Sequence, residues 1–315
     1  MESSLRHVFI VNPTAGKGNS LYFINYAVSN LLKGKVEGLS VRVTGGPMDA
    51  AKIAAEEASR GDAVRLYACG GDGTLNEVAN GAMGFDNAQI APVPLGSGND
   101  YVKTFGGRAG FLDLAALMEG SVIKADMIQC NGRYAINLCS MGFDSSVASN
   151  MARFKRLPLV NGSMAYDFSV VFSLLNNIRS SFQIVINDTD IYEGEFLLAV
   201  VANGKWYGGS YLAAPDASPF DGKLDFVLVR RVSRLKFLRL VDAYKRGEHE
   251  KLYDILHHYT GEKLTIRSRK PFPVNMDGET IHVSDAEFRV VPGAFNLVVP
   301  PKLVNTYKNT REICI

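Results

Sequence analysis

The sequence has little of the charge imbalance, cysteine or long apolar stretches that would point to a specialised class of protein. Its 34 basic and 32 acidic side chains leave a formal charge of +2, which gives no reason to expect a nucleic-acid partner. No apolar run approaches the roughly 20 residues that a membrane-spanning helix requires. The remaining composition is typical of a globular protein, and 315 residues are enough for two domains.

Cysteine and histidine are also sparse. The four cysteines are scattered, and Cys69 and Cys139 lie in apolar strand-like runs, which predicts small buried side chains. No metal-ligand spacing occurs. His257 and His258 are predicted to lie on the surface, late in a helix. The first six residues lack the apolar segment of a signal peptide, so a reduced, cytoplasmic protein is expected.

The first third of the chain alternates between strand and helix patterns. Its strand-like runs are 7–11, 39–44, 64–69 and 89–93. Repeated strand–helix units predict a parallel sheet with helices on both faces. Polar, glycine-rich loops at 12–18, 70–74 and 96–100 each follow a strand. Because ligands bind beyond the carboxyl ends of such strands, we expect the loops to converge on one site.

The most informative loop is Gly70-Gly71-Asp72-Gly73-Thr74-Leu75-Asn76-Glu77. Glycines let a backbone approach phosphate closely, and the start of the following helix offers N–H groups and a positive dipole end. Thr74 and Glu77 have the spacing of a capping box, which predicts the start of that helix. Asp72 would repel phosphate unless a cation or a water mediates. The run therefore indicates a nucleotide site with Mg²⁺ nearby.

Two familiar phosphate-binding loops are excluded. No Walker A pattern occurs, and the dinucleotide fingerprint starting at Gly71 requires glycine where Asn76 stands. The alternative without a ligand is a plain glycine-rich turn, although an acid there has little structural purpose. Lys17, between Gly16 and Gly18, is open to two interpretations: a phosphate clamp or a solvated loop charge.

The pattern changes near residue 121, where apolar and polar residues begin to alternate. The strand candidates are 125–130, 134–140, 182–186, 193–201, 224–229, 264–267, 287–291 and 295–299. This alternation predicts an antiparallel β-sandwich, interrupted by helices near 163–178 and 233–258. The predicted domains are an α/β domain over 1–122, a sandwich domain over 123–300, and a tail over 301–315 that packs back on the first domain.

Six short motifs occur in order along the chain: Asn12-Pro13-x-x-Gly16, Gly70-Gly71-Asp72-Gly73-Thr74, Gly96-Ser97-Gly98-Asn99-Asp100, Gly142-Phe143-Asp144, Asp221-Gly222 and Asp277-Gly278-Glu279. Together they resemble the diacylglycerol/sphingosine kinase family, in particular soluble bacterial diacylglycerol kinases and related lipid kinases. The second motif also occurs in NAD kinases and phosphofructokinases, so by itself it indicates only the superfamily. The first and last motifs narrow the resemblance to the lipid kinases. The resemblance implies an α/β nucleotide-binding domain with an NAD kinase/phosphofructokinase-like parallel sheet, followed by an antiparallel β-sandwich domain.

The resemblance also implies roles for individual residues of the first domain. The residues that would contact ATP are Asn12, Pro13, Thr14, Ala15, Gly16, Thr44, Gly71, Asp72, Gly73, Thr74, Leu75, Asn76, Glu77 and Ser97. Asp72, also expected to be catalytic, would hold the active-site Mg²⁺ through waters together with Asp100 and Asp144. Ser97 stands where relatives often have threonine and offers the same hydroxyl. Gly98 is expected only to loosen the backbone.

Two further roles fall in the second domain. Asp221, with backbone oxygens at Ser218 and Lys223, resembles a structural Mg²⁺ site, and the alternative is a plain Asp-Gly turn before a strand. Glu279 matches the family's general base, and the alternative is an ordinary surface glutamate in a hairpin.

These expectations describe an ATP-dependent lipid kinase that phosphorylates the hydroxyl of diacylglycerol or a similar lipid. The alternatives are an NAD kinase-like enzyme with a soluble acceptor and a non-catalytic nucleotide-binding module. A membrane lipid requires a peripheral encounter, for which the basic amphipathic stretches 150–178 and 233–258 are candidates. The other interpretation is that their apolar sides pack on the sandwich. No nucleic-acid partner is expected, and a homodimer is left open.

Overall fold

The computed structural model describes residues 5–31, 38–142 and 180–303. The chain divides into two compact units, one formed by Met1–Met127 with Pro292–Ile315 and the other by Ile128–Val291. Within the described ranges, no helix combines the length and apolar character needed to cross a membrane. The predicted helix near 163–178, the basic stretch over 150–178 and most of the tail fall outside these ranges.

The first unit is built on a parallel sheet flanked by helices. Its strands are β1 (Arg6–Val11), β2 (Leu39–Val43), β3 (Val64–Gly70) and β4 (Ala88–Pro94), and its helices are α1 (Ser20–Tyr26), α2 (Asp49–Ala58), α3 (Asp72–Ala82), α4 (Arg108–Phe111) and α5 (Leu114–Met118). The strand order is β2-β1-β3-β4. Every residue of β3 is buried, as expected for a strand covered on both faces. The predicted α/β fold is confirmed.

The second unit consists mainly of antiparallel strands. They are the end of β5 (Ser121–Cys130), β6 (Arg133–Ala135), β7 (Leu138–Gly142), β8 (Ser180–Ile186), β9 (Asp190–Ala202), β10 (Trp206–Tyr207), β11 (Tyr211–Leu212), β12 (Leu224–Arg230), β13 (Leu256–Gly261) and β14 (Lys263–Met276). Strand β9 pairs with β7, β8 and β12, and β14 pairs with β7 and β8. Alternate side chains, including Ile184, Phe226 and Phe288, fill the core. The predicted β-sandwich is confirmed.

Helix α6 (Arg234–Lys245) of the second unit is shorter than the sequence pattern predicts. It ends in a Schellman motif, in which the N–H of Gly247 donates to Tyr244 O and the N–H of Glu248 donates to Ala243 O. Gly247 has a φ of 71°, which glycine adopts without strain. The prediction of a helix through residue 258 is therefore wrong, because a glycine stop signal interrupts the apolar spacing.

His257 and His258 lie in β13, not in a helix. Both are half-buried, so their predicted surface position is wrong. His258 Nε2 lies 2.6 Å from Asp225 Oδ1, and this hydrogen bond to a buried carboxylate raises the pKa of His258. Pairing of β13 with β12 is what brings the two side chains together.

A long final strand, β15 (Glu279–Val299), contributes residues to both units. Its first part pairs antiparallel with β14, whereas Asn296 near its end lies opposite Gln89 in a parallel pairing with β4. The Asn296 amide also donates to the carbonyls of Asp86 and Ala88, at 3.1 and 2.9 Å. The prediction of two separate antiparallel strands over this stretch is wrong, because one strand covers both and its end completes the parallel sheet.

Candidate active site

The loop that follows β1 is organised by Asn12. Its Oδ1 accepts hydrogen bonds from the Thr14 N–H at 3.0 Å and the Thr14 hydroxyl at 2.8 Å. Its Nδ2 donates to Thr74 Oγ1 at 3.3 Å, which ties the loop to α3. Gly16 has a φ of 61°, and a Cβ there would lie 3.3 Å from Leu95 O. Asn12 therefore shapes its own loop, and that loop contacts the segment 70–74 and lies close to Leu95, just before the segment 96–100.

Helix α3 begins directly after β3, at Asp72. Its N-cap is Gly71, which has no side chain to act as a cap, so the predicted capping box of Thr74 and Glu77 is wrong. Glu77 instead accepts a hydrogen bond from the N–H of Ala50 in α2 at 3.2 Å. The N–H groups in the first turn of a helix lack acceptors within that helix, and the dipole adds positive potential. The start of α3 is therefore suited to binding an anion.

Glycines bring the loops after β3 and β4 into backbone contact. A Cβ on Gly96 would lie 2.4 Å from Gly71 Cα. Gly70 O accepts hydrogen bonds from the N–H groups of Leu95 and Gly96, at 2.7 and 3.0 Å. A larger residue at position 96 would push the loops apart. The sequence motifs associate Gly71 and Gly96 with the close approach of a ligand. The structure shows that close packing of the two loops also requires them.

Asn99 closes the loop after β4, a role that the sequence analysis missed. Its Nδ2 donates to Gly96 O at 2.6 Å, and its Oδ1 accepts from the Gly96 N–H at 3.0 Å. Its φ is 50°, a left-handed value that asparagine tolerates better than most residues. An asparagine between glycine and aspartate in a turn is the signal that could have identified it. The closed loop leaves Ser97 exposed.

Two acidic side chains face the same small space in this loop. A Cβ on Gly98 would lie 3.0 Å from Asp72 Oδ2 and 3.5 Å from Asp100 Oδ2. Asp72 Oδ1 also accepts a hydrogen bond from the Tyr101 N–H at 3.1 Å. The expectation that Gly98 only loosens the backbone is wrong, since any side chain there would crowd the Asp72 carboxylate.

The surroundings of Asp72 disfavour its negative charge. Burial raises the pKa of Asp72, and the nearby Asp100 charge adds to this effect, although backbone hydrogen bonds oppose it. Asp100 itself is buried and lies 2.5 Å from Lys103 Nζ. In the part of the chain that the structure describes, no three acidic, histidine or cysteine side chains form a metal cluster. Asp144, the third predicted Mg²⁺ residue, lies outside that part.

The other predicted nucleotide residues differ in exposure. Thr44, Thr74 and Leu75 are buried. Thr14, Gly73 and Ser97 are exposed. One of these exposed residues lies in each of the three loops that follow β1, β3 and β4, the loops that are expected to form one site.

Glu279 is the first residue of β15 and follows the two-residue turn Asp277-Gly278. Both turn residues have positive φ, 47° and 98°, as a type I′ hairpin requires. Met276 and Glu279 lie opposite each other where the hairpin closes. The Glu279 side chain is 61% exposed, and its Oε2 lies 3.9 Å from Arg133 Nη1. Arg133 was not predicted, and no local sequence pattern connects it with Glu279.

Asp221 lies in a turn before β12. Its Oδ1 accepts a hydrogen bond from the Lys223 N–H at 3.0 Å, the arrangement of an Asx turn. The Asp221 side chain is exposed and Ser218 is half-buried. This geometry accounts for the Asp-Gly pair as a turn, and the assignment of a metal to Ser218, Asp221 and Lys223 stays a prediction.

Known proteins resemble this chain in sequence and in fold. Residues 6–130 match the diacylglycerol kinase catalytic domain, and residues 137–299 match the YegS C-terminal NAD kinase beta sandwich-like domain. A Staphylococcus aureus (strain MSSA476) protein, provisionally named a lipid kinase, is 31% identical over 238 residues, covering 74% of this chain and 76% of the relative.

Two crystal structures of provisionally named diacylglycerol kinases from Bacillus anthracis str. Sterne have the same fold. One gives a TM-score of 0.76 at 23% identity, covering 96% of this chain and 98% of the other. The second gives 0.74 at 23% identity, with coverage of 96% and 100%.

Proposed function

Because this chain belongs to the lipid kinase family that shares the diacylglycerol kinase catalytic domain, we propose that it transfers the γ-phosphate of ATP to the hydroxyl of diacylglycerol or a similar lipid, giving phosphatidic acid or an analogue. The observation that carries this proposal is a pair of carboxylates, half-buried Asp72 and buried Asp100, that face one space beside the start of α3. Phosphoryl transfer depends mainly on positioning and charge neutralisation. Carboxylates that hold a cation beside an anion-binding helix start would meet that need.

The residues fit Mg²⁺ by their chemistry. Oxygen ligands suit this ion, and the raised pKa of Asp72 indicates a charge that the ligand-free protein leaves poorly compensated. Asp72 and Asp100, with Asp144, would hold the ion through waters. When bound, Mg²⁺ would neutralise charge on the phosphate oxygens. The N–H groups at the start of α3 and the loops after β1 and β4 would orient the triphosphate.

We assign Glu279 as the base that takes the proton of the acceptor hydroxyl. A general base must come within hydrogen-bond reach of that proton, and an exposed carboxylate at a hairpin end is accessible to a substrate. The structural Mg²⁺ site at Asp221, Ser218 and Lys223 is part of the same proposal.

A transfer assay with radiolabelled ATP tests the acceptor class. The acceptors are diacylglycerol, sphingosine, ceramide, undecaprenol and NAD, each presented to purified protein with Mg²⁺. We expect label in a lipid product, with diacylglycerol the best acceptor. Label in NADP instead would favour the NAD kinase-like alternative. Tight ATP binding without transfer to any acceptor would favour the non-catalytic module.

Helix α6 supports a second part of the proposal, peripheral docking on an anionic membrane. Leu240, Ala243 and Tyr244 pack against the sandwich, as one interpretation of this stretch predicts. Leu235 and Leu238 point away from it, each 60% exposed, and the exposed Arg234 and Arg239 flank them. Apolar and basic side chains together on one exposed helix face suit a surface of anionic lipid.

Replacing Leu235 and Leu238 with glutamate is expected to abolish co-sedimentation with vesicles rich in anionic lipid. The substitutions remove apolar contacts and reverse the local charge, and binding should already weaken as salt rises. Ile191→Glu is the control, because Ile191 is 64% exposed elsewhere in the same unit. Transfer to a short-chain, water-soluble diacylglycerol should be unchanged in all variants. Equal vesicle binding by the α6 variant and the wild type would refute this docking surface.

A further inference from the structure

We propose that Asp277 is a positioning residue that holds the Glu279 hairpin in its catalytic orientation, an inference that rests on the proposed role of Glu279. Asp277 occupies the first turn position, two residues before Glu279. Its side chain is directed at a neighbouring segment of the same unit, residues 136–138, which run from the end of β6 into the first residue of β7. It acts through Glu279 and touches neither reacting group.

Three consecutive N–H groups converge on the Asp277 carboxylate. Oδ2 accepts hydrogen bonds from Ile136 at 2.7 Å and Asn137 at 3.2 Å, and Oδ1 accepts one from Leu138 at 2.9 Å. The Asp277 N–H donates in return to Leu138 O at 3.1 Å. Hydrogen bonds to an ionised acceptor are stronger than neutral ones. The backbone bond continues the pairing of β14 with β7, whereas the three side-chain bonds attach the turn to residues 136–138 beyond what strand pairing provides.

Residues 136–138 are themselves held from the opposite side. Asn137 O accepts hydrogen bonds from the N–H groups of Asn203 and Gly204, both at 2.8 Å. The buried Asn203 amide donates to Ile136 O at 2.7 Å, and the Asn137 amide donates to Trp206 O at 2.9 Å. Asp277 thus fastens the hairpin to a segment that has little freedom to move.

Two other turns of the same unit use the same device and provide matched controls. Asn131, φ 47°, accepts from the Glu287 N–H at 3.1 Å and donates to Asp285 O at 2.8 Å. Asn187, φ 48°, accepts from the N–H groups of Glu262 and Lys263, at 3.1 and 3.3 Å. In each of the three turns, the side chain of the first turn residue forms hydrogen bonds to backbone groups outside its own hairpin. Only the turn at Asp277 carries a candidate base directly after it.

The test is a set of glycine substitutions at these three turns, because glycine keeps the positive φ and removes only the side-chain bonds. In Asp277→Gly, kcat for lipid phosphorylation is expected to fall about 100-fold, the cost of a displaced catalytic group, with an unchanged KM for ATP. In Asn187→Gly, kcat should stay within about twofold of wild type although Tm falls. Asn131→Gly serves as a reference for Tm only, because its turn leads into Arg133, which lies 3.9 Å from Glu279. In a Glu279→Gln background, Asp277→Gly should cause no further loss.

Wild-type kcat in Asp277→Gly, with Tm lowered as in the asparagine variants, would overturn the positioning role. So would an equal loss of kcat in Asn187→Gly. If Asp277→Gly does not fold, Asp277→Asn decides, because its amide can still accept from Leu138 but not from all three N–H groups; unchanged kcat there would refute the proposal. Wild-type turnover in Glu279→Gln would instead refute the base assignment itself, and the positioning role with it.

Discussion

Replacing Glu279 with glutamine is expected to abolish phosphoryl transfer and to leave ATP binding intact. Glutamine has nearly the size of glutamate but cannot take the proton of the acceptor hydroxyl. A positioned base contributes about 10²–10⁴-fold to a rate, so kcat should fall by at least two orders of magnitude. Nucleotide affinity should not change, since the predicted phosphate-binding loops belong to the other unit. Single-turnover transfer and calorimetric ATP titration measure the two quantities separately.

Glu287→Gln is the matched control for this experiment. Glu287 lies on the same strand and is partly exposed, but its carboxylate pairs with Arg289 at 2.7 Å and has no proposed catalytic role. We expect near-wild-type transfer from it. Near-wild-type turnover by the Glu279 variant would show that the carboxylate at 279 is an ordinary surface group.

Asp72→Asn is expected to lose Mg²⁺-dependent activity and to gain thermal stability. The folded protein raises the pKa of Asp72, so it binds this proton more tightly than the unfolded chain does. The resulting stabilisation is complete below the unfolded pKa and is lost as the pH rises through the folded pKa. At neutral pH its ionised form is therefore a cost to the ligand-free protein. Asparagine removes the charge and keeps an oxygen to accept the Tyr101 N–H. A higher Tm together with lost activity is the expected combination for a functional acid.

Ligand-dependent melting gives the second readout of this prediction. Mg²⁺ with a non-hydrolysable ATP analogue should raise the Tm of the wild type, because ligands that bind only the folded state stabilise it. The shift should be much smaller for Asp72→Asn. Asp86→Asn is the control, since Asp86 is an exposed acid of the same unit. An Asp72 variant with a lower Tm and an unchanged Mg²⁺ requirement would contradict the assignment.

The fold class could be predicted because periodicity is strong wherever a strand has a uniform environment. All residues of β3 are buried, and the sequence there is a continuous apolar run apart from Arg65. The end of α6 was missed although Gly247 marks it, because the apolar spacing continues past the glycine into β13. The start of α3 was misplaced because its N-cap, Gly71, leaves no side-chain signal.

The candidate site could be predicted as a set of residue types but not as a set of contacts. The glycine-rich loop drew attention to Asp72, and the resemblance to the kinase family implied the roles of Asp100 and Glu279. Neither could show that a side chain at Gly98 would crowd the Asp72 carboxylate, because that depends on two loops meeting. The hydrogen bonds of Asp277 join residues 139 to 141 positions apart. No local pattern encodes a contact at such a separation.

The pairing of β15 with β4 has a consequence for synthesis of the chain on the ribosome. Asn296 contacts residues 208 and 210 positions earlier, so a stretch of that length must be translated after β4 before its partner in β15 exists. Until then, the side of β4 away from β3 presents unpaired N–H and C=O groups to any neighbouring strand. A nascent chain is thus vulnerable to wrong pairing between polypeptides until β15 has been translated.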